Sequence, residues 1–183
     1  RGSRWLRPEC LGENINSPYH DSKAALSFDN KTLYFISDRK DLSIGGRDIF
    51  YSEIDENGDW GQPKNIGSTV NTEYDEVDIF LHPDGRTMYF SSAGHNSMGG
   101  LDIFRTTRNE NGNWTTPVNL GHPINTPGDD AFFVTTASGR TAYFASVRPE
   151  GHGLHDIYQI NFIYDEKQPE EKREKVFVTL VKG

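Results

Sequence analysis

The side chains best suited to chemistry in this sequence are carboxylates that recur. Asp48, Asp102 and Asp156 each follow a glycine-rich stretch and precede an apolar pair. A carboxylate so placed accepts backbone N–H bonds from the loop before it, so holding that loop is the first role expected of all three. The rival role is a Ca²⁺ site shared with Asp21, Asp75, Glu76, Asp129 and Asp130, because a hard cation takes several oxygen ligands. Recurrence in every copy of a repeat favours structure over a single metal centre. The adjacent pair Asp129-Asp130 resembles a glycosidase pair only in sequence, since neighbours on a strand point to opposite faces. Of six histidines, only His152 and His155 lie close together. Their Gly-rich loop lacks the helical geometry of a metal-binding pair. No Gly-x-Ser-x-Gly elbow, Walker loop or Cys/His nucleophile arrangement occurs. A non-catalytic protein without metal or cofactor is therefore expected.

These carboxylates sit in a framework that repeats. Trp5, Trp60 and Trp114 are spaced by 55 and 54 residues, and each opens the pattern Trp-x-x-Pro-x-x-apolar-Gly-x-x-apolar-Asn-Ser/Thr. Asp21, Glu76 and Asp130 then coincide, followed by Leu33-Tyr34-Phe35, Met88-Tyr89-Phe90 and Ala142-Tyr143-Phe144, and by Ser37, Ser92 and Ser146. Asp48-Ile49-Phe50, Asp102-Ile103-Phe104 and Asp156-Ile157-Tyr158 close the match. A period of about 55 residues exceeds the helical repeats and falls near four-stranded propeller blades.

Turn chemistry divides each copy into four strands. Asp84-Gly85, with Asp29-Asn30 and Ser138-Gly139 in the same place, predicts a two-residue hairpin needing positive φ. Asn57-Gly58 and Asn111-Gly112 mark a second hairpin. In the first copy the strands are expected near residues 24–28, 32–37, 48–54 and 60–66. The three tryptophans, each at the start of an outer strand, are expected to pack between blades. Residues 5–12 read as an orphan outer strand, and the last copy as ending after its third strand, near Phe162. The two ends are thus complementary, as in propellers that close their ring with the first strand. Three blades fall short of the usual minimum of about four. The preferred explanation is further blades upstream of Arg1; the alternative is two copies forming one ring.

The motifs Trp-x-x-Pro-x-x-Leu-Gly-x-x-Ile-Asn-Thr, Leu-Tyr-Phe-x-Ser and Gly-Gly-x-Asp-Ile-Phe resemble the TolB-type, WD-like propeller repeat, over residues 5 to about 162. Gly45-Gly46-Arg47-Asp48-Ile49-Phe50 and Gly99-Gly100-Leu101-Asp102-Ile103-Phe104 are similar to the version in OmpA-family envelope proteins, including PorE-type members of the type IX secretion system. The resemblance implies an all-β propeller of three four-stranded blades over residues 1–163, part of a larger ring. It implies a periplasmic, outer-membrane-associated scaffold that binds protein partners and reaches peptidoglycan through a C-terminal domain absent here. Residues 164–175, charged and nearly free of apolar side chains, read as a linker. Residues 176–183 read as the first strand of a following carboxypeptidase-regulatory-like β domain. The third copy departs from the pattern at Gly151-His152-Gly153-Leu154-His155, as a terminal blade would.

Composition narrows the partners. A net charge of −8 and a pI near 5.2 leave no basic face for nucleic acid. Apolar runs such as Ala131 to Val134 are too short to span a bilayer, and no signal peptide is visible, so no direct membrane insertion is expected. Cys10 is the single cysteine, which excludes an intrachain disulfide and a Cys-based zinc site. A glycan-binding propeller and a propeller enzyme with acids at the ring centre remain the alternatives. Exposed aromatics around one face would mark the first, converging carboxylates of raised pKa the second, and a broad mixed patch a protein-binding surface.

Overall fold

The computed structural model describes residues 5–163 and 177–181. It is all-β, with three four-stranded antiparallel sheets. The first contains β1 (Asp21–Leu26), β2 (Thr32–Ser37), β3 (Asp48–Glu53) and β4 (Lys64–Asn65) in that order. The second repeats it with β5 (Glu76–Leu81), β6 (Thr87–Ser92), β7 (Asp102–Thr107) and β8 (Val118–Asn119). The third runs through β9 (Asp130–Thr135), β10 (Thr141–Ser146), β11 (Asp156–Ile163) and β12 (Phe177–Val181). Each sheet is one propeller blade. The apolar face of β2 and β3, with Tyr34, Ile36 and Ile49, packs on Met88, Phe90 and Phe104 of the next blade. Ile103 meets Phe133, Phe144 and Ile160 in the same way at the second seam. Strands buried on both faces explain why these segments are aromatic and branched throughout rather than alternating.

Three sequence expectations change. The outer strands are shorter than residues 60–66: Trp60 makes one bridge to Ile54, and pairing resumes only at Lys64–Asn65. Pro63 lies in that gap, and a residue without N–H interrupts a ladder; Pro117 stands in the same place in the second blade. The inner hairpins are four-residue loops closed by Ser27 N–H to Thr32 O and His82 N–H to Thr87 O. Only the second residue of each turn pair is left-handed, with φ of 60° at Asn30, 70° at Gly85 and 65° at Gly139. Residues 5–12 form no strand, and Trp5 is 95% exposed. Trp60 and Trp114 are each held by a bridge to the residue just after the third strand of their blade, Ile54 and Arg108, and among the described residues no such bridge holds Trp5. Phe177–Val181 forms β12, which pairs with β11 from Gln159↔Val181 to Ile163↔Phe177 as the fourth strand of the third sheet. The linker read at 164–175 lies outside the described residues.

Candidate functional site

The recurrent carboxylates staple the blades. Asp48 accepts N–H bonds from Ile44 (2.6 Å) and Gly45 (3.4 Å), Asp102 from Met98 (2.5 Å), and Asp156 from His152 (2.7 Å) and Gly153 (3.3 Å). Asn65 and Asn119 donate to Asp48 and Asp102 at 2.7 and 2.8 Å. Asp75 spans the first seam, accepting from the backbone N–H of Arg47 (2.8 Å) and from its guanidinium (3.1 and 2.8 Å). Asp129 accepts from Leu101 N–H at 2.9 Å across the second. The chains approach so closely there that a Cβ on Gly46 or Gly100 would lie 2.1 Å from the Asp75 or Asp129 carboxylate. That contact is the physical reason for the Gly-Gly motif.

Asp21, Glu76 and Asp130 begin the inner strands and accept bonds from the residue four earlier: Ser17, Thr72 and Thr126. Their cations differ. Arg39 donates to Asp21 at 2.8 Å and to Ile15 O at 2.8 Å. Arg148 lies 3.8 Å from Asp130 and donates to Ile124 O at 2.8 Å. In the second blade Gly94 occupies the arginine position, and the His95 ring meets the corresponding carbonyl, Val70 O, at 2.8 Å. Glu76 is thus buried with hydroxyl partners from Ser92 and Thr72, and burial pushes its pKa up to about 8. Burial also raises Asp102. In Asp21 burial acts against the ionised form, but bonds from Ser37, Ser17 and Arg39 outweigh it and hold the carboxyl below its usual value. Among the described residues, no three His, Cys, Asp or Glu side chains are grouped to hold a metal. Asp21, Asp75, Glu76, Asp129 and Asp130 are not brought together, and His152 and His155 are exposed on their loop.

Positions where the copies diverge point elsewhere, because what the copies share is accounted for by the fold. Two residues beyond each inner-strand acid stand Lys23, Asp78 and Phe132. All three strands are irregular there, and Lys23 and Phe132 adopt φ of 48° and 60°. Left-handed backbone at a phenylalanine is uncommon and strained. Lys23 Nζ lies 4.5 Å from the Phe132 ring centroid, joining the inner strands of blades one and three. Burial raises the pKa of Asp78, opposed by Lys23 and by backbone N–H bonds from Ile79, Phe133 and Phe132.

A second divergent group lies at the hairpin end of the first seam. Phe28, His82 and Arg108 surround Tyr34 and Trp114 in a small slot. The repeat places Pro83 and Ala137 at the position of Phe28, and Ile54 and Phe162 at that of Arg108. Sequence reading passed over these residues; the signal available was their departure from the repeat.

At the opposite end of the blades, the loops between second and third strands pack on those leading into the next inner strand, as Gly45 against Thr72 and Gly99 against Pro127 show. This end exposes Leu42, Ile44, Tyr74, Met98 and Leu154, interleaved with the half-exposed Arg47–Asp75 pair.

No family model and no curated protein matches the chain. Solved structures do. A protein described as TolB from Agrobacterium tumefaciens superposes with a TM-score of 0.54 at 18% identity, over 82% of this chain and 47% of that one. The shared feature is the propeller fold. A protein described as a 6-phosphogluconolactonase from Bacteroides uniformis gives 0.52 at 12% identity, over 88% and 40%. The chain therefore spans less than half the length of either. At such identities the likeness concerns fold alone.

Proposed function

We propose that the chain is a non-catalytic propeller platform that binds protein partners. Its setting is the periplasmic face of the outer membrane, within an OmpA-family protein of the type IX secretion kind that is anchored to peptidoglycan by a further domain. The observation that carries the binding role is the loop end: a broad surface of Leu42, Ile44, Tyr74, Met98 and Leu154 around one ion pair, the mixed composition of protein contact surfaces. Of the three carboxylates whose pKa burial raises, Glu76 and Asp102 are fully buried and Asp78 is 8% exposed, and among the described residues no three acidic or histidine side chains are grouped. That supports binding over catalysis. The envelope setting rests on the Gly-Gly-x-Asp-Ile-Phe motifs.

A photo-crosslinking amino acid at Ile44 or Met98, in the host cell, is expected to yield discrete protein adducts, while the same group at Asn57 or Asn111, on the hairpin end, gives at least tenfold less. Equal yields from both ends, or no protein adduct from the loop end, would contradict the platform.

A further inference from the structure

Both seams make the same contact at the loop end, and the second lacks one part of it. At the first seam Asp75 Oδ1 accepts the backbone N–H of Arg47 at 2.8 Å, and Asp75 Oδ2 accepts the guanidinium of the same residue at 3.1 and 2.8 Å. At the second seam Leu101 stands where Arg47 does, and Asp129 where Asp75 does. Leu101 N–H donates to Asp129 Oδ1 at 2.9 Å, so the backbone half of the contact is kept. Leucine brings no guanidinium, and Asp129 Oδ2 takes no hydrogen bond among the described residues. Arg148 belongs to the loop whose Val147 N–H donates to Asp129 O at 3.0 Å, but its guanidinium turns inward to Pro123 O and Ile124 O, at 2.7 and 2.8 Å.

The half-exposed Asp129 carboxylate has exposed apolar neighbours. Met98–Leu101 lies against Pro127–Asp129 so closely that a Cβ on Gly99 would fall 2.2 Å from Pro127 O. Met98 is 46% exposed, Pro127 is exposed and Leu101 is half-exposed. The N–H bond from Met98 to Asp102 fixes the backbone that presents them.

We propose that the second seam of the loop-end platform receives an arginine of a protein partner, which makes on Asp129 the ion pair that Arg47 makes on Asp75, while an apolar side chain beside it rests on Met98 and Pro127. This rests on the platform reading and names the chemistry of its partner. Arginine fits because the first seam already shows a guanidinium giving Nε and Nη2 to one oxygen of the equivalent carboxylate. Neither Met98–Leu101 nor Pro127–Asp129 contains a Lys or Arg, and the chain carries a net charge of −8, so a cationic segment is drawn in and an acidic one repelled.

The test follows the Leu101 amide and the Met98 methyl group by NMR while capped Leu-Arg-Leu is added. Both signals are expected to shift saturably, and the Arg47 amide to stay in place because Asp75 is already paired. Capped Leu-Gln-Leu should move none of them, and capped Leu-Lys-Leu should bind at least threefold more weakly. Leu101→Arg supplies the guanidinium from the chain itself and is expected to weaken binding at least tenfold. Arg47→Leu frees Asp75 and is expected to add a second response, at the amide of position 47. Each variant copies the residue that the other blade carries at that place, and unchanged Ile49 and Ile103 amide signals verify the fold. The proposal is overturned if the arginyl peptide moves neither signal, if the glutaminyl or lysyl peptide acts equally, or if Leu101→Arg binds as wild type. Crosslinking from Ile44 reads the platform separately: protein adducts without any response to the arginyl peptide would overturn this seat alone, and a peptide response without adducts would overturn the platform alone.

Discussion

Ile103→Ala is expected to cost about 3–4 kcal/mol of unfolding free energy, and Ile157→Ala less than about 0.5 kcal/mol, although the two residues hold the same place in successive copies. Ile49 and Ile103 are 0% exposed because the following blade covers them; Ile157 is 76% exposed. Tyr143, the counterpart of buried Tyr34, is 42% exposed on the same face. The energy of these side chains is thus a property of seams rather than of blades. The isoleucine packs within its own sheet in all three cases, and only contact with a neighbour makes its methyl groups inaccessible to water. Urea unfolding of both variants measures the difference. Equal losses would mean that the blades are stabilised internally and that the seams carry little.

Glu76→Gln is expected to raise stability progressively as pH increases from about 5 to 8, reaching on the order of 3–4 kcal/mol over wild type at the upper end. The sign follows from linkage. Glu76 has a folded pKa of about 8 against 4.5 for an unperturbed carboxyl, so folding keeps it protonated. Its contribution is fully favourable below the unfolded value and is lost as pH rises through that window to the folded one. Glutamine's Oε1 can accept from the Ser92 and Thr72 hydroxyls, which share one oxygen of Glu76, losing only the longer Thr72 N–H bond (3.3 Å) to the other; it carries no charge and removes the like-charge contact with Asp48. Asp21→Asn is the internal control with the opposite sign. Its folded pKa lies below the ordinary value, so the ionised form contributes stability above about pH 4 that asparagine forfeits. Thermal unfolding between pH 5 and 8.5 distinguishes the two. A Glu76→Gln curve parallel to wild type would show that Glu76 is ionised in the folded protein.

The repeat made the blades readable because every strand is bounded by turn residues, and β2 spans the predicted residues 32–37 without shift. What pairs across an edge was harder to read. Outer strands interrupted by Pro63 and Pro117 scan as continuous because proline's missing N–H matters only once a partner is known. Phe177–Val181 scans as a strand, and its partner β11 is set by an available sheet edge rather than by local sequence. Trp5 has the motif of Trp60 and Trp114, yet among the described residues no bridge holds it and it is 95% exposed. Of the candidate sites, the staple acids were visible through recurrence. The Glu76 environment and the slot at the first seam were visible only as exceptions: Gly94 where the other copies carry Arg39 and Arg148, and Phe28 and Arg108 where they carry other side chains. Divergence acquires meaning only when the divergent positions prove to be neighbours.

Three blades are locked at two seams, and among the described residues nothing covers the far face of the third. Native-state hydrogen exchange at the amides of Ile49, Ile103 and Ile157 tests it most directly. The first two donate to the buried side-chain oxygens of Asn71 and Asn125 at 2.9 Å. They are predicted to exchange only through global unfolding. Ile157, with no such asparagine beside it among the described residues, is predicted to exchange at least a hundredfold faster. Equal protection at all three positions, or rapid exchange at Ile49 and Ile103, would contradict the claim.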